Sequence, residues 1–188
     1  MDAARDLFVE RGYQSTSMRA IAERIEYTPT AIYHHFENKE ALLTELCMWD
    51  FTALAKAFHS IERVEDPVER LRRIGLAYVD FAVEHPMHYQ FMFMSMRPVQ
   101  RATEDNMPGD PSHDAYAILR ANVEEAIAAG RLRPEYDDAD RVAQILWGTL
   151  HGLISLHITK QHKDWVDFGD LRATANMACD VTIRGIVR

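Results

Sequence analysis

Hydrophobic residues recur along most of the chain at intervals of three and four, the spacing of one face of an α-helix. In the first such stretch Ala4, Leu7 and Phe8 fall on one side, and Gly12 then ends the helix. The sequence has no alternating β-branched run and no Asn-Gly or Asp-Gly hairpin signal. The pattern therefore predicts an all-α fold.

Capping residues, prolines and glycines divide this pattern into short helices followed by longer ones. The expected helices cover residues 3–10, 17–25, 29–36, 39–59, 67–85, 87–96, 114–129, 138–160 and 168–187, with a Pro- and Gly-containing loop over 99–112. We expect two domains, residues 1–46 and residues 47–188.

The segment 17–36 is the most informative part of the chain. Ile21 and Ile25 lie in the apolar stripe of one short helix, and Ile32 and Phe36 form the stripe of the next. Two short helices joined by a tight turn, each with one apolar stripe, form a helix-turn-helix. Such segments also occur in ordinary helical bundles, so periodicity alone leaves DNA binding open.

The outward positions of this unit are short or flat polar groups, which suit base edges and phosphates in a major groove. Helix N-termini offer free backbone N–H groups to phosphate, and an early arginine can pair with phosphate or with a guanine edge. The predicted residues that contact double-stranded DNA are Ser17, Arg19, Thr28, Pro29, Thr30, Tyr33, His34, His35 and Lys39.

Charge limits how the chain could use such a surface. The formal net charge is -8, which argues against a protein that coats nucleic acid without sequence preference. Residues 1–46 contain five Lys or Arg and eight Asp or Glu. A sequence-specific binder needs only a local basic face, so this charge remains compatible with operator recognition.

Three pieces of the first domain resemble the N-terminal domain of TetR-family regulators. They are AARDLFVERGY at 3–13, SMRAIA at 17–22 and AIYHHFENKEAL at 31–42. The resemblance implies a homodimer whose two recognition helices read a palindromic operator. Glu26 stands where the family usually has glycine, whose freedom favours a left-handed turn. Either Glu26 bears that strain, or the turn is reshaped.

The segment 145–157 resembles a C-terminal subclass of this family that is marked by Trp, His and Gly, here Trp147, His151 and Gly152. Ligand sites between helices are mostly apolar with a few polar anchors. The run 85–96 alternates methionine with aromatic residues and suits either such a pocket or a plain core. The predicted ligand-binding residues are Tyr78, Phe81, Tyr89, Met92, Phe93, Tyr116, Trp147 and His151.

The family architecture implies a dimer interface on the last two long helices. Candidate positions are Leu150, Ile154 and Ile158 on one helix and Met177, Val181 and Ile183 on the other.

The remaining chemistry narrows the class of protein. No apolar run approaches the roughly 20 residues that span a membrane, and Cys47 and Cys179 suit a reducing cytosol, so we expect a cytoplasmic protein. No phosphate loop or nucleophile elbow is present, which predicts that the chain is not an enzyme. His85, His88, His113 and His151 raise the question of a three-His metal site, but no metal-binding motif supports it. We expect neither a metal nor a cofactor.

The leading hypothesis is a repressor that a small, largely apolar ligand releases from its operator by shifting the population of conformers. The alternative is a helical ligand- or metal-binding protein that has lost DNA binding.

Overall fold

A computed structural model describes residues 1–61, 64–95, 109, 114–160, 166 and 168–188. The described residues form helices but no strand; two backbone segments meet only in an isolated bridge between Leu132 and Val187. The helices are α1 Asp2–Arg11, α2 Met18–Arg24, α3 Pro29–Tyr33, α4 Lys39–His59, α5 Pro67–Glu84, α6 Pro86–Phe93, α7 Ala115–Ala128, α8 Ala139–Thr159 and α9 Leu171–Ile186.

Local capping explains where these helices begin. Asp114 and Asp138 accept hydrogen bonds from the first turns of α7 and α8, at the positions predicted from the sequence. The last helix begins three residues later than predicted, because Asp170 is its N-cap and accepts a hydrogen bond from the Ala173 amide. The predicted loop over 99–112 lies almost wholly outside the described residues.

The chain forms two compact units. The N-terminal unit comprises residues 1–53 and the described residues 85–95, so α6 belongs with α1, α2, α3 and the first part of α4. Its core is apolar and includes Leu7, Phe8, Leu43, Leu46 and Phe91. The boundary after residue 46 stays a prediction.

The C-terminal unit comprises residues 54–84 and the described residues from 109 onwards. Its helices α5, α8 and α9 approach closely at Gly75, where a Cβ atom would lie 2.9 Å from Leu150 Cδ1 and 3.1 Å from Cys179 Sγ. The Arg72 guanidinium reaches from α5 to α9 and donates from Nε to Asp180 at 3.0 Å. Glycine is therefore what lets these three helices meet.

None of the described helices combines the length and the apolar character that a membrane span needs.

Candidate functional site

The helices α2 and α3 are each started by a side chain that the sequence places there. Ser17 Oγ accepts a hydrogen bond from the Ala20 amide at 3.1 Å, and Thr28 Oγ1 accepts one from the Ala31 amide at 3.3 Å. Pro29 occupies the first turn of α3, where its missing N–H costs nothing. Ile21 and Ile32 are buried between the helices, which fixes the helix-turn-helix geometry.

The residues predicted to contact DNA lie mainly on the exposed surface of this unit. Tyr33 is 52% exposed and ends α3. The other fully exposed members of the set are Ser17, Arg19, Thr28, Pro29, Thr30, His34 and His35. Their accessibility meets the first requirement of a DNA contact, while the contacts themselves stay predictions.

Two surface cations of the unit, Arg19 and Arg24, are held in weak pairs. Arg19 Nε donates to Glu23 at 2.8 Å, and Arg24 donates to Glu10 at 3.0 Å. Both pairs are exposed, and exposed pairs contribute only about 0–1 kcal/mol. A phosphate can therefore replace Glu23 as the partner of Arg19 at small cost.

Lys39 differs from the other predicted contacts because it is half-buried. Its Nζ donates to the carbonyl oxygens of Tyr13 at 2.7 Å and Thr16 at 2.8 Å, and it lies 4.2 Å from the centre of the Tyr13 ring. Two of its three N–H groups thus tie the segment before α2 to the start of α4. Its role as a phosphate contact stays a prediction, alongside this structural role.

The turn between α2 and α3 has the left-handed conformation at Glu26, whose φ is 60°. The Tyr27 amide donates to the Ala22 carbonyl at 2.9 Å, which closes the turn. Of the two alternatives that the sequence left open, the first is therefore correct: Glu26 bears the strain at a position where the family usually has glycine.

Replacing Glu26 by glycine is expected to raise the free energy of unfolding by about 0.5–1 kcal/mol. The left-handed conformation costs a residue with a Cβ about 1–2 kcal/mol, and the greater freedom of glycine in the unfolded chain offsets part of the gain. Urea unfolding measures the change. Glu26→Ala is the control, since it removes the same charge and keeps the Cβ; equal stability of the two variants would contradict the strain.

Ile25 and Tyr27 show where the sequence prediction of this region was incomplete. Ile25 was expected in the buried stripe but is 41% exposed, because α2 ends at Arg24 and Ile25 is its C-cap. Tyr27 is 65% exposed directly before the N-cap of α3. In the sequence, only its place in the turn between the two helices could have indicated that it lies on the surface of this unit. Both residues line an apolar cleft of about 160 Å³.

Four of the predicted ligand residues come together in the C-terminal unit. The Trp147 indole N–H donates to Tyr78 Oη at 3.1 Å, and Tyr78 Oη lies 3.0 Å from His151 Nδ1. The Tyr116 and Trp147 rings are 5.9 Å apart, centre to centre. Phe81, also in this unit, is buried. The group therefore combines aromatic surface with a short chain of polar atoms.

The other three predicted ligand residues belong to the N-terminal unit, on α6. Tyr89 and Met92 are fully buried, and the Tyr89 and Phe93 rings are 5.0 Å apart. The ring of Phe51 on α4 meets Phe93 edge-on at 5.8 Å. For Tyr89 and Met92 this is the core packing that the sequence had left as the alternative. The assignment of the eight residues as ligand-binding stays a prediction.

His151 makes this group of predicted ligand residues sensitive to pH. Burial lowers the pKa of His151 below its ordinary value of 6.5, so the folded chain favours the neutral imidazole. The contribution of neutral His151 to the free energy of unfolding is fully present above pH 6.5. It is lost as the pH falls through the lowered pKa of the folded state, because the imidazole must then take up a proton.

We therefore expect the free energy of unfolding to decrease when the pH is lowered from about 7.5 to about 5.5. In the variant His151→Gln the same change of pH should produce a smaller decrease. Urea unfolding at both pH values, for the chain and the variant, measures the difference. An identical pH dependence in the variant would show that His151 does not contribute.

Two of the histidines that raised the question of a metal site lie at the start of α6. The His85 and His88 rings lie 5.2 Å apart, centre to centre. Within the described residues no group of three or more His, Cys, Asp or Glu side chains is placed to hold a metal ion. His113 lies outside the described residues.

An apolar stripe remains exposed on α8 and α9. Met177 is 69% and Val181 67% exposed, and Ile145 and Leu156 are exposed on α8. Gly148 and Gly152 lie beside open space, so packing within the chain does not require them. By contrast, the candidates Leu150, Ile154 and Ile183 are buried inside the chain, and their prediction as interface residues was wrong because periodicity does not tell which face turns inward.

Comparison with protein families matches both parts of the chain. Residues 1–46 match the bacterial regulatory proteins of the tetR family, and residues 71–181 match the tetracyclin repressor-like C-terminal domain. The chain therefore belongs to the TetR family. This membership confirms the predicted family and agrees with a regulatory protein rather than an enzyme.

Individual relatives agree with this assignment. The chain is 34% identical over 84 residues to the HTH-type transcriptional regulator UidR of Escherichia coli strain K12, covering 45% of the chain and 37% of UidR. It is 31% identical over 86 residues to the HTH-type transcriptional repressor KstR2 of Mycobacterium tuberculosis H37Rv, covering 45% of the chain and 42% of KstR2. The match thus spans less than half the length of these curated relatives.

A solved structure extends the likeness to the whole fold. The transcriptional regulator FadR from Bacillus subtilis, in complex with stearoyl-CoA, has a TM-score of 0.80 at 19% identity and covers 98% of this chain and 96% of FadR. The predicted all-α fold, with an N-terminal helix-turn-helix and a helical C-terminal domain, is confirmed.

Proposed function

We propose that this chain is a transcriptional repressor that binds a palindromic operator as a homodimer and is released by a small, largely apolar ligand. The observation that carries the proposal is the exposed polar face of α3, set on a helix-turn-helix whose two caps are in place and whose Ile21 and Ile32 are buried. The site of action would be the cytoplasm, where the chromosome lies. The two functional domains would be residues 1–46 for DNA and residues 47–188 for ligand and dimerisation.

The nature of the effector is supported by the aromatic group around Trp147. Tyr78, Tyr116 and Trp147 offer flat apolar surface, and His151 adds one neutral polar anchor. Pockets of this composition take ligands that are mostly apolar with a single oriented polar group. FadR, which shares the fold, was solved with stearoyl-CoA, a ligand with a long apolar chain.

The C-terminal part is proposed to belong to the Trp-His-Gly subclass. Trp147 and His151 share one face of α8, and their rings lie 5.6 Å apart, centre to centre. Trp147 and His151 both contact the Tyr78 hydroxyl, so the two marker residues together connect α8 to α5. Gly152 follows His151 directly, at a position where an added Cβ atom would meet no neighbour within 4 Å.

The homodimer is supported by the exposed stripe of α8 and α9. Large apolar side chains there alternate with glycines that leave room for a close partner helix. A twofold axis would set the stripe against its own copy, which is how most soluble dimers are built.

Selection of bound duplexes from a random-sequence library tests the proposed function. We expect a palindromic sequence to be enriched, and its affinity to fall as salt is raised because phosphate contacts release counterions. A library with no enriched sequence, and no binding at low salt, would overturn the proposal and favour the ligand- or metal-binding alternative.

Tyr33→Phe is expected to weaken binding of the selected duplex and of unrelated duplexes alike, because a phosphate hydrogen bond carries no sequence information. The slope of log affinity against log salt should stay the same, because the lost hydroxyl is neutral and its removal changes no counterion release. The hydroxyl is exposed, so stability should not change. Tyr27→Phe is the matched control, since it removes the same group from an exposed tyrosine outside the predicted contacts. Unchanged affinity of Tyr33→Phe for both kinds of duplex would remove Tyr33 from the contact set.

A further inference from the structure

A buried polar cluster joins three helices of the N-terminal unit. Arg5 on α1 donates from Nε and Nη2 to the two carboxylate oxygens of Asp50 on α4, at 2.9 Å and 2.7 Å. His88 on α6 places Nδ1 2.9 Å from Asp50 Oδ1. The side chains of Arg5 and Asp50 are 3% and 1% exposed, and that of His88 is 28% exposed. Asp2 also accepts from Arg5, at the surface end of the cluster.

The same three helices are packed by apolar contacts. Phe91 of α6 is fully buried in the core of the helix-turn-helix unit, and its ring stacks on that of Phe8 at 5.9 Å. Leu43 and Leu46 of α4 belong to the same core. The apolar contacts hold α6 near α1, but they are not directional and tolerate small shifts.

The polar cluster adds direction to this packing. Asp50 receives the planar guanidinium fork on both oxygens, and such a bidentate pair has one favourable geometry. The 2.9 Å approach of His88 Nδ1 to Asp50 Oδ1 brings α6 into contact with this fixed pair. His88 is the only one of the three that is partly open to solvent, so it is the member that can separate without leaving a buried charge unpaired.

We propose that Arg5, Asp50 and His88 form a latch through which the position of α6 and the operator affinity of the helix-turn-helix are coupled. The inference rests on the proposed function, because it concerns how a signal reaches the DNA-binding surface. Tyr89, Met92 and Phe93 lie on α6 one to five residues after His88, so a ligand that touched them would act on the latch directly. His88 is in this sense a positioning residue.

Coupling is reciprocal, so operator binding must in turn affect α6. The test measures hydrogen exchange of the α6 amides in the full chain, with and without the selected duplex. We expect the duplex to slow this exchange by about fivefold or more. His88→Leu should bind the duplex but lose the slowing. His88→Asn should keep it, since its amide nitrogen can occupy the position of Nδ1.

His85→Leu is the matched control, because it removes an exposed imidazole next to the same helix and should leave the slowing intact. Equal slowing in His88→Leu, or none in the unchanged chain, would overturn the latch. His88→Phe, which keeps a ring at this position, replaces His88→Leu if thermal melting shows that the leucine variant does not fold.

Failure of the proposed function gives a different result. If no duplex is bound at all, the latch is judged by exchange in the DNA-free chain. Faster exchange in both α1 and α6 of His88→Leu, restored by His88→Asn, would support it. Faster exchange confined to α6 would overturn it.

Discussion

Replacement of Asp50 by alanine is expected to lower the free energy of unfolding by about 3–5 kcal/mol, the typical cost of removing one partner of a buried ion pair. The reason is Arg5, which is 3% exposed and would keep its charge without the carboxylate that accepts two of its hydrogen bonds. Burial alone would lower the pKa of Arg5, but the hydrogen bonds to Asp50 and Asp2 raise it above its ordinary value.

Urea unfolding of three variants separates this effect from a loss of packing. Asp50→Ala should be strongly destabilised, while Asp50→Leu combined with Arg5→Leu should recover most of the loss, because no buried charge remains. Glu23→Ala breaks only an exposed pair and should cost less than about 1 kcal/mol. A small effect of Asp50→Ala, similar to that of Glu23→Ala, would contradict the importance of the cluster.

Substitution of both Met177 and Val181 by aspartate is expected to prevent dimerisation and to weaken operator binding by about 100-fold or more. The two side chains are the most exposed large apolar groups on α9. On a twofold interface the two aspartates of each chain would place four carboxylates in an apolar contact area. Obligate dimers, whose interfaces bury about 2,000 Å² or more, do not tolerate such buried unpaired charges. The loss of affinity follows because two linked recognition helices gain about 10²- to 10⁴-fold from binding together.

Light scattering after size exclusion measures the assembly state. The chain has a mass of 21.7 kDa, and we expect twice this mass for the unchanged protein and the single mass for the variant. Val83→Asp is the control, since Val83 is an exposed valine on α5, away from the stripe. A variant that remains dimeric would place the interface elsewhere.

Local rules made the helix-turn-helix predictable from sequence. Ser17 and Thr28 are residue types that favour N-caps and stand directly before α2 and α3, and Pro29 is a residue that the first helical turn tolerates. These features depend on residues within four positions of one another. The resemblance to the TetR family reduced the conformation of Glu26 to two alternatives, and only the structure chose between them.

Long-range contacts were not predictable in this way. Arg5 and Asp50 are 45 positions apart, and each looks like an ordinary charged residue on an amphipathic helix. Lys39 was interpreted from its place at a helix start, while its bonds to Tyr13 and Thr16 span more than 20 positions. Periodicity showed that Leu150 and Ile154 share a face, but the neighbours that bury that face come from other helices.

Two copies of this chain are proposed to read two halves of one operator. Native mass spectrometry of the complex with the selected duplex, combined with a hydroxyl-radical footprint, measures how many chains bind and which bases they protect. We expect two chains per duplex and symmetric protection, with half-site centres about one helical turn of 10–10.5 base pairs apart or a multiple of it. One chain per duplex, or a single protected segment without symmetry, would contradict it.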